Sequence, residues 1–109
     1  MKRNIIITLG ITIAAMLMAA NAMAGCTVYK GKKYLGASKD IPAGQEISAF
    51  ERNWDNQISS AKVSSGCQLT VWKDVDFQGK SKEFTGDVNY VGNMDDIISS
   101  AKCLCQEAD

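Results

Sequence analysis

The chain repeats itself. Asp55–Lys62 is DNQISSAK, and Asp95–Lys102, forty residues later, is DDIISSAK. The repetition extends beyond the octets. CTVYKGKKYLG (26–36) opens one half and CQLTVWKDVDFQG (67–79) opens the other. In each, an alternating run leads to an aromatic, a second aromatic follows five residues on, and a glycine stands two further. The first set is Tyr29, Tyr34 and Gly36; the second is Trp72, Phe77 and Gly79. A repeat of about forty residues confines the chain to two equivalent supersecondary units that must bury their apolar faces against each other. Motif one covers 26–66 and motif two 67–105.

The residues within each unit favour strands. Thr, Val, Ile, Tyr, Phe and Trp occur in short runs. Turn residues separate the runs at Pro42-Ala43-Gly44, Ser64-Ser65-Gly66, Thr85-Gly86-Asp87 and Gly92-Asn93. The pattern predicts strands near 27–31, 34–40, 46–50, 58–64, 68–73, 81–85, 88–91 and 98–104. Residues 55–62 fit either a capped helical turn or a strand after a loop. Eight short strands in two equal sets predict an all-β sandwich of two four-stranded antiparallel sheets. The repeated glycines suit a folded-over hairpin that needs positive φ. The paired aromatics would cover it, adding about 0.5–1.5 kcal/mol beyond their area burial.

The first 24 residues have a different character. A basic start, Lys2-Arg3, precedes an apolar run over 5–18 and the small-residue end Ala22-Met23-Ala24. That is the pattern of an export signal peptide, and the run is short for a retained anchor. Cleavage after Ala24 leaves a single domain of 85 residues, 25–109. Four cysteines then remain: Cys26, Cys67, Cys103 and Cys105. An even number behind an export signal points to two disulfides, which a small core needs. A four-cysteine zinc site is the rival, but the paired C-x2-C spacing is missing. Met23-Ala24-Gly25-Cys26 also resembles a bacterial lipobox. On that reading Cys26 carries a lipid and anchors the chain to a membrane, although a strand beginning near Thr27 leaves no tether.

Charge and composition exclude several functions. Without Lys2 and Arg3 the chain has 10 basic residues against 12 acidic, interspersed, and nucleic-acid binding needs a clustered positive surface. There is no histidine, so Ser-His-Asp and Cys-His nucleophile pairs and histidine-containing zinc sites are ruled out. No pair of acids stands out for a carboxylate enzyme. The expectation is therefore a non-enzymatic, periplasmic or secreted protein.

The spacing Y/W-x4-Y/F-x-G followed by D-[ND]-x-x-S-S resembles the βγ-crystallin family. The likeness covers nearly all of 25–109 and comprises two Greek-key motifs, one complete crystallin-type domain. In calcium-binding members of that family, N/D-N/D-x-x-S/T-S marks the sites. Both copies here conform: Asp55-Asn56-Gln57-Ile58-Ser59-Ser60 and Asp95-Asp96-Ile97-Ile98-Ser99-Ser100. Members with degenerate motifs often carry a basic residue at the fifth position, where this chain has Ser59 and Ser99.

The resemblance implies two cross-built Ca2+ sites. In one, the carbonyl of Gln57 and the hydroxyl of Ser59 meet a side chain of Asp95 or Asp96. In the other, the carbonyl of Ile97 and the hydroxyl of Ser99 meet one of Asp55 or Asn56. The backbone carbonyls of Lys30 and Lys73, each following a first aromatic, complete the sets. Ser60 and Ser100 are expected to be structural. Calcium takes six to eight oxygen ligands, which such loops supply, and the loops lack the soft donors of transition-metal sites. The EF-hand pattern is absent. Few carboxylates per site imply dissociation constants of roughly 10⁻⁵–10⁻⁴ M. The site drawing on Asp95-Asp96 is expected to be the tighter.

In the same architecture the last strand of each Greek key lies beside its first. That implies a bond from Cys67 to Cys103 or Cys105, with Cys26 taking the other. Cys103 and Cys105 face one side of a regular strand, so with different partners the chain is expected to leave the sheet near Cys105. The functional expectation is a monomeric, exported calcium-binding domain whose ions bridge the two motifs. The alternative is a secreted interaction module (an inhibitor, adhesion, coat or stress protein) with an unidentified protein partner, calcium being only structural.

Overall fold

The structure, a computed structural model, describes residues 25–106. The expected signal peptide over 1–24 lies outside the described residues. Seven strands follow in order: β1 Gly25–Tyr29, β2 Ser38–Pro42, β3 Glu46–Ile47, β4 Ser60–Val63, β5 Cys67–Asp74, β6 Gln78–Phe84 and β7 Ser100–Cys105. All pairings are antiparallel. One sheet has the order β2-β1-β4 and the other β3-β7-β5-β6. The last strand of each motif lies beside its first: Val28 pairs with Ala61, and Val71 with Ala101.

The third strands change places. β3, from motif one, adds to the sheet of motif two through Glu46↔Lys102 and Ile47↔Ala101. In return Val88, from motif two, forms an antiparallel bridge with Ala61 in the sheet of motif one. Hence the strand expected over 88–91 is reduced to a single bridge. The physical reason lies just past the bridge, where Val91 rather than Tyr90 donates its N–H to the Ser59 carbonyl at 2.9 Å and the Asn89 carbonyl turns away to accept the Lys33 N–H at 2.8 Å, so the ladder slips out of register. The strand expected over 46–50 likewise shortens to two residues, while β2 and β6 are shifted by a few residues from their expected places. The all-β two-sheet sandwich stands. Its core comes from the inward positions of both sheets, among them Val28, Ile41, Leu69, Val71 and Ala101, joined by Ile58 and Ile98 from the loops before β4 and β7.

Each motif folds its first hairpin over in the same way. Lys33 and Tyr34 have φ of 57° and 62°, and Asp76 and Phe77 have 57° and 60°. Gly36 and Gly79 follow, both at 81°. Left-handed backbone costs a side-chain-bearing residue about 1–2 kcal/mol, so something must hold the two aromatics there. The Tyr34 N–H donates to Ser60 Oγ at 3.0 Å, and that hydroxyl donates to the Gly31 carbonyl at 2.6 Å. Phe77 N–H and Ser100 repeat the arrangement at 3.0 Å, with Ser100 donating to the Asp74 carbonyl at 2.6 Å. Tyr34 meets Tyr29 edge-on with centroids 5.8 Å apart, and Phe77 meets Trp72 at 5.2 Å. Lys62 and Lys102 place their ammonium groups over Tyr34 and Phe77, at 5.0 and 4.4 Å from the centroids. The second serine and the lysine of each octet thus belong to the fold, as the sequence implied for the serines.

Two disulfides close the structure, Cys26–Cys103 and Cys67–Cys105. Cys105 is the last residue of β7 and pairs directly with Cys67 on β5, so the chain does not leave the sheet to reach it. Cys103 and Cys105 find different partners on one face because Cys26 comes from the facing sheet and Cys67 from the neighbouring strand. Links spanning 77 and 38 residues restrict the unfolded chain, contributing about 4.5 and about 4 kcal/mol in the chain-entropy account. A lipid-bearing Cys26 would need its sulfur free; here that sulfur is bonded to Cys103 and buried. No helix among the described residues is long and apolar enough to cross a membrane.

Ser60→Ala and Ser100→Ala each strip a buried N–H of its acceptor and a carbonyl of its donor. Each is expected to cost about 2–4 kcal/mol in urea unfolding. The exposed Ser81→Ala is expected to stay within about 0.5 kcal/mol of the parent. Equal losses at all three serines would refute the pinning role.

Candidate metal sites

Each octet opens in a tight turn anchored by one buried side chain. Trp54 and Asp55 donate their N–H groups to the Glu51 carbonyl, both at 2.8 Å, and Gln57 donates to that of Trp54 at 3.1 Å. In motif two Asp95 donates to Gly92 at 2.9 Å and Ile97 to Met94 at 3.2 Å. Trp54 and Met94 are buried beneath these turns. The next residues, Asn56 and Asp96, both adopt φ of 60°. Asn and Asp enter this region more readily than other side-chain-bearing residues, which gives the second position of the octet a conformational reason.

The left-handed step sends each of these N–H groups to the opposite motif. Asn56 donates to the Ile98 carbonyl at 3.0 Å, and Asp96 to the Ile58 carbonyl at 3.2 Å. Ile58 and Ile98 are fully buried, so the two loops are clamped together over the core. Ser59 and Ser99 then donate their backbone N–H groups to Tyr29 and Trp72, each at 2.9 Å. This sets Ser59 against the residue preceding Lys30, and Ser99 against the residue preceding Lys73.

The side chains cross in the same sense. The Ser59 hydroxyl donates to Asp95 Oδ1. The Ser99 hydroxyl donates to Asn56 Oδ1 at 3.4 Å. The Ser59 hydroxyl thus meets the first position of its pair, Asp95, and the Ser99 hydroxyl the second of its pair, Asn56. Asp96 is exposed, and Asp55 is half-buried with its Oδ1 shielded from solvent and without any hydrogen-bond partner. No loop or turn hydrogen bond among the described residues ends on the carbonyls of Lys30, Gln57 or Ile97. The carbonyl clamp by Ile58 and Ile98 was not singled out from the sequence; the signal was the isoleucine held at the fourth position of both octets.

The charges around these loops are uncompensated. The one ion pair among the described residues, Lys102–Glu46 at 3.7 Å, involves none of Asp55, Asp95 and Asp96. The ammonium of Lys30 stands over the Trp54 ring, 5.1 Å from its centroid. The gathered donors are carboxylate, amide and hydroxyl oxygens. Among the described residues no three acids converge in either loop. Such a set suits a hard cation with a mixed oxygen shell and offers nothing to a soft one. The orphaned Asp55 oxygen fits the same chemistry, since a buried carboxylate oxygen without a partner is costly until a cation or donor meets it.

No protein-family model matches the chain. Among solved structures, a βγ-crystallin domain from Clostridium beijerinckii is 27% identical, covers 73% of this chain and 97% of its own, and superposes with a TM-score of 0.67. A βγ-crystallin domain from Flavobacterium johnsoniae is 25% identical over 77% of this chain and 98% of its own, with a TM-score of 0.69. The N-terminal domain of Protein S, at 22% identity, shares the fold over 78% of this chain with a TM-score of 0.71. Human syncollin is 28% identical over 79 residues, 64% of this chain and 59% of syncollin. The chain thus spans less than two thirds of that relative.

Asp55→Asn removes a shielded charge. In EDTA it is expected to raise stability by about 1 kcal/mol. A loss of stability in EDTA, measured by urea unfolding, would show that the Asp55 carboxylate is already satisfied in the metal-free fold.

Proposed function

Since the chain is a βγ-crystallin domain, we propose that it is an exported protein that binds two calcium ions and uses them to tie its motifs together. The observation that carries this reading is the reciprocal contact of the octets, Ser59 with Asp95 and Ser99 with Asn56. One ion would be held by Ser59, the carbonyls of Gln57 and Lys30, and Asp95, with Asp96 adding charge nearby. The other would be held by Ser99, the carbonyls of Ile97 and Lys73, and Asn56, with Asp55 adding charge. A bound dication would supply the positive charge that these loops lack and replace the crossed hydrogen bonds with metal–oxygen bonds. The chain acts by binding, and no catalytic constellation is invoked. Its disulfides suit an oxidising compartment outside the cytoplasm.

A second reading makes calcium a staple for a protein-interaction module. The observation in its favour is that Leu35, Val75 and Leu104 stand exposed. It predicts a partner captured from culture medium whose binding depends on those side chains.

A ligand that binds only the folded state adds about 2.7 kcal/mol at 100 times its dissociation constant. Calcium at about 5 mM is therefore expected to raise the melting temperature over EDTA by at least ~10 °C, with magnesium much less effective. No shift, together with no heat of binding in calorimetry, would reduce both octets to structural turns.

The ligand assignment has its own test. Asp95→Asn, and more weakly Asp96→Asn, are expected to loosen the site containing Ser59. Asn56→Ala is expected to loosen only the site containing Ser99. Calorimetric titrations in which Asp95→Asn or Asp96→Asn weakened only the Ser99 site would overturn it.

A further inference from the structure

The sulfurs of Cys67, Cys103 and Cys105 all lie within 4.8 Å of one another, and that of Cys26 is bonded to Cys103. Three of the four cysteine sulfurs thus cluster, and the fourth is tied to the cluster through Cys103, although the four come from three strands. The calcium reading makes no use of this cluster. Strand register builds it. Cys67 and Cys105 are directly paired, Leu69 and Cys103 are the next pair on the same side, and Cys26 faces them from β1. The missing C-x2-C knuckles, which argued against a thiolate site in the sequence, are therefore no obstacle. Those knuckles place ligands by local loops, whereas here the sheet places them.

We propose that the four cysteines form a soft-metal site, closed while they are disulfides and opened when a dithiol reduces them. Two equivalents of dithiol give two electrons to each protein disulfide and leave as cyclic disulfides, so that four protein thiols result. One Zn2+ then replaces the thiol protons, and up to four protons go to solvent. Tetrahedral zinc–thiolate bonds of about 2.3 Å place sulfurs about 3.8 Å apart. Within the cluster, the Cys103 sulfur reaches that spacing from those of Cys67 and Cys105 by closing about 1 Å at most, and the bonded pairs, Cys26–Cys103 and Cys67–Cys105, reach it by moving apart.

Cys26, Cys67 and Cys103 are buried and Cys105 is half-buried, which shelters the metal–sulfur bonds. Two clefts give access. One of about 450 Å³ is lined by Cys67, Cys105, Gly66 and Gln68. The other, about 510 Å³, is lined by Cys26, Val63 and Asp87. The oxygen loops do not compete, because thiolates select zinc and other soft ions while carboxylates and carbonyls select calcium. The metal would cross-link β1, β5 and β7, the strands that the disulfides join in the oxidised chain. It serves as their substitute wherever the chain is kept reduced.

The test is a cobalt titration of the full chain, reduced anaerobically with a phosphine. One equivalent is expected to saturate it, giving a near-ultraviolet thiolate-to-cobalt band and the strong visible bands of a tetrahedral site. Zinc should displace the cobalt, and a disulfide oxidant should release it. Cys67→Ser combined with Cys105→Ser should abolish the tetrahedral thiolate spectrum. Near-ultraviolet circular dichroism guards against binding to an unfolded chain: one equivalent of metal should leave or restore the native signal. The proposal is overturned by absence of the charge-transfer band, by equal binding to oxidised protein, or by metal bound without the native signal.

Discussion

A buried serine hydroxyl, present once in each motif, is the contact from which the rest follows. It accepts the N–H of an aromatic held in left-handed backbone and donates to a carbonyl on the other arm of the same hairpin. Without it, Tyr34 and Phe77 would relax toward ordinary extended backbone. Their rings would leave Tyr29 and Trp72, and the folded hairpin would open. The neighbouring residue of the octet, Ser59 or Ser99, would then lose its fixed position beside the end of the first strand. One short segment therefore holds both the packing of its own hairpin and the donor offered to the other motif. That is why the octet is copied whole.

The motifs are coupled at several levels, all in the same reciprocal sense. Third strands are exchanged between sheets, loop N–H groups cross to opposite carbonyls, and serine hydroxyls cross to opposite Asp and Asn side chains. A cation bound at either loop would draw on both motifs, so its binding energy would act on the contact between them. One of the two disulfides adds to the same coupling. Cys26–Cys103 joins the sheets, whereas Cys67–Cys105 secures the terminal pairing within one.

Much of this could be read from the residues because the chain is its own control. One octet alone is a turn. Two octets, each behind a matching aromatic–aromatic–glycine spacing, specify two folded hairpins and their closing strands. The resemblance to the βγ-crystallins, rather than the repeat itself, implied that Ser60 and Ser100 are structural and that Cys26 and Cys67 both bond to the last strand, as they do. The third strands were harder to read. Periodicity reports how a segment alternates, not which sheet it joins, so the exchange of β3 and Val88 left no local mark. Nor did it show that the ladder would slip at Val91 and so cut the strand near 88–91 to one bridge. The choice between Asp95 and Asp96, or Asp55 and Asn56, was also hidden. Both loops share the left-handed turn at the second position, yet Ser59 meets the first residue of its pair and Ser99 the second, a difference that the sequence pattern does not carry.

The exchange of third strands has a consequence for how such a chain could arise. A motif cut free at residues 64–66 would keep its first, second and fourth strands together but would hold β3 with nothing to pair against. The edge of its own sheet would be open where the other motif's strand belongs. Both defects are mended by another copy of the same motif, with the two related by a twofold axis. The single chain is thus a covalently joined symmetric dimer. A gene encoding one motif could have made the same sandwich from two identical subunits, before fusion let the halves diverge into Asp55-Asn56 on one side and Asp95-Asp96 on the other.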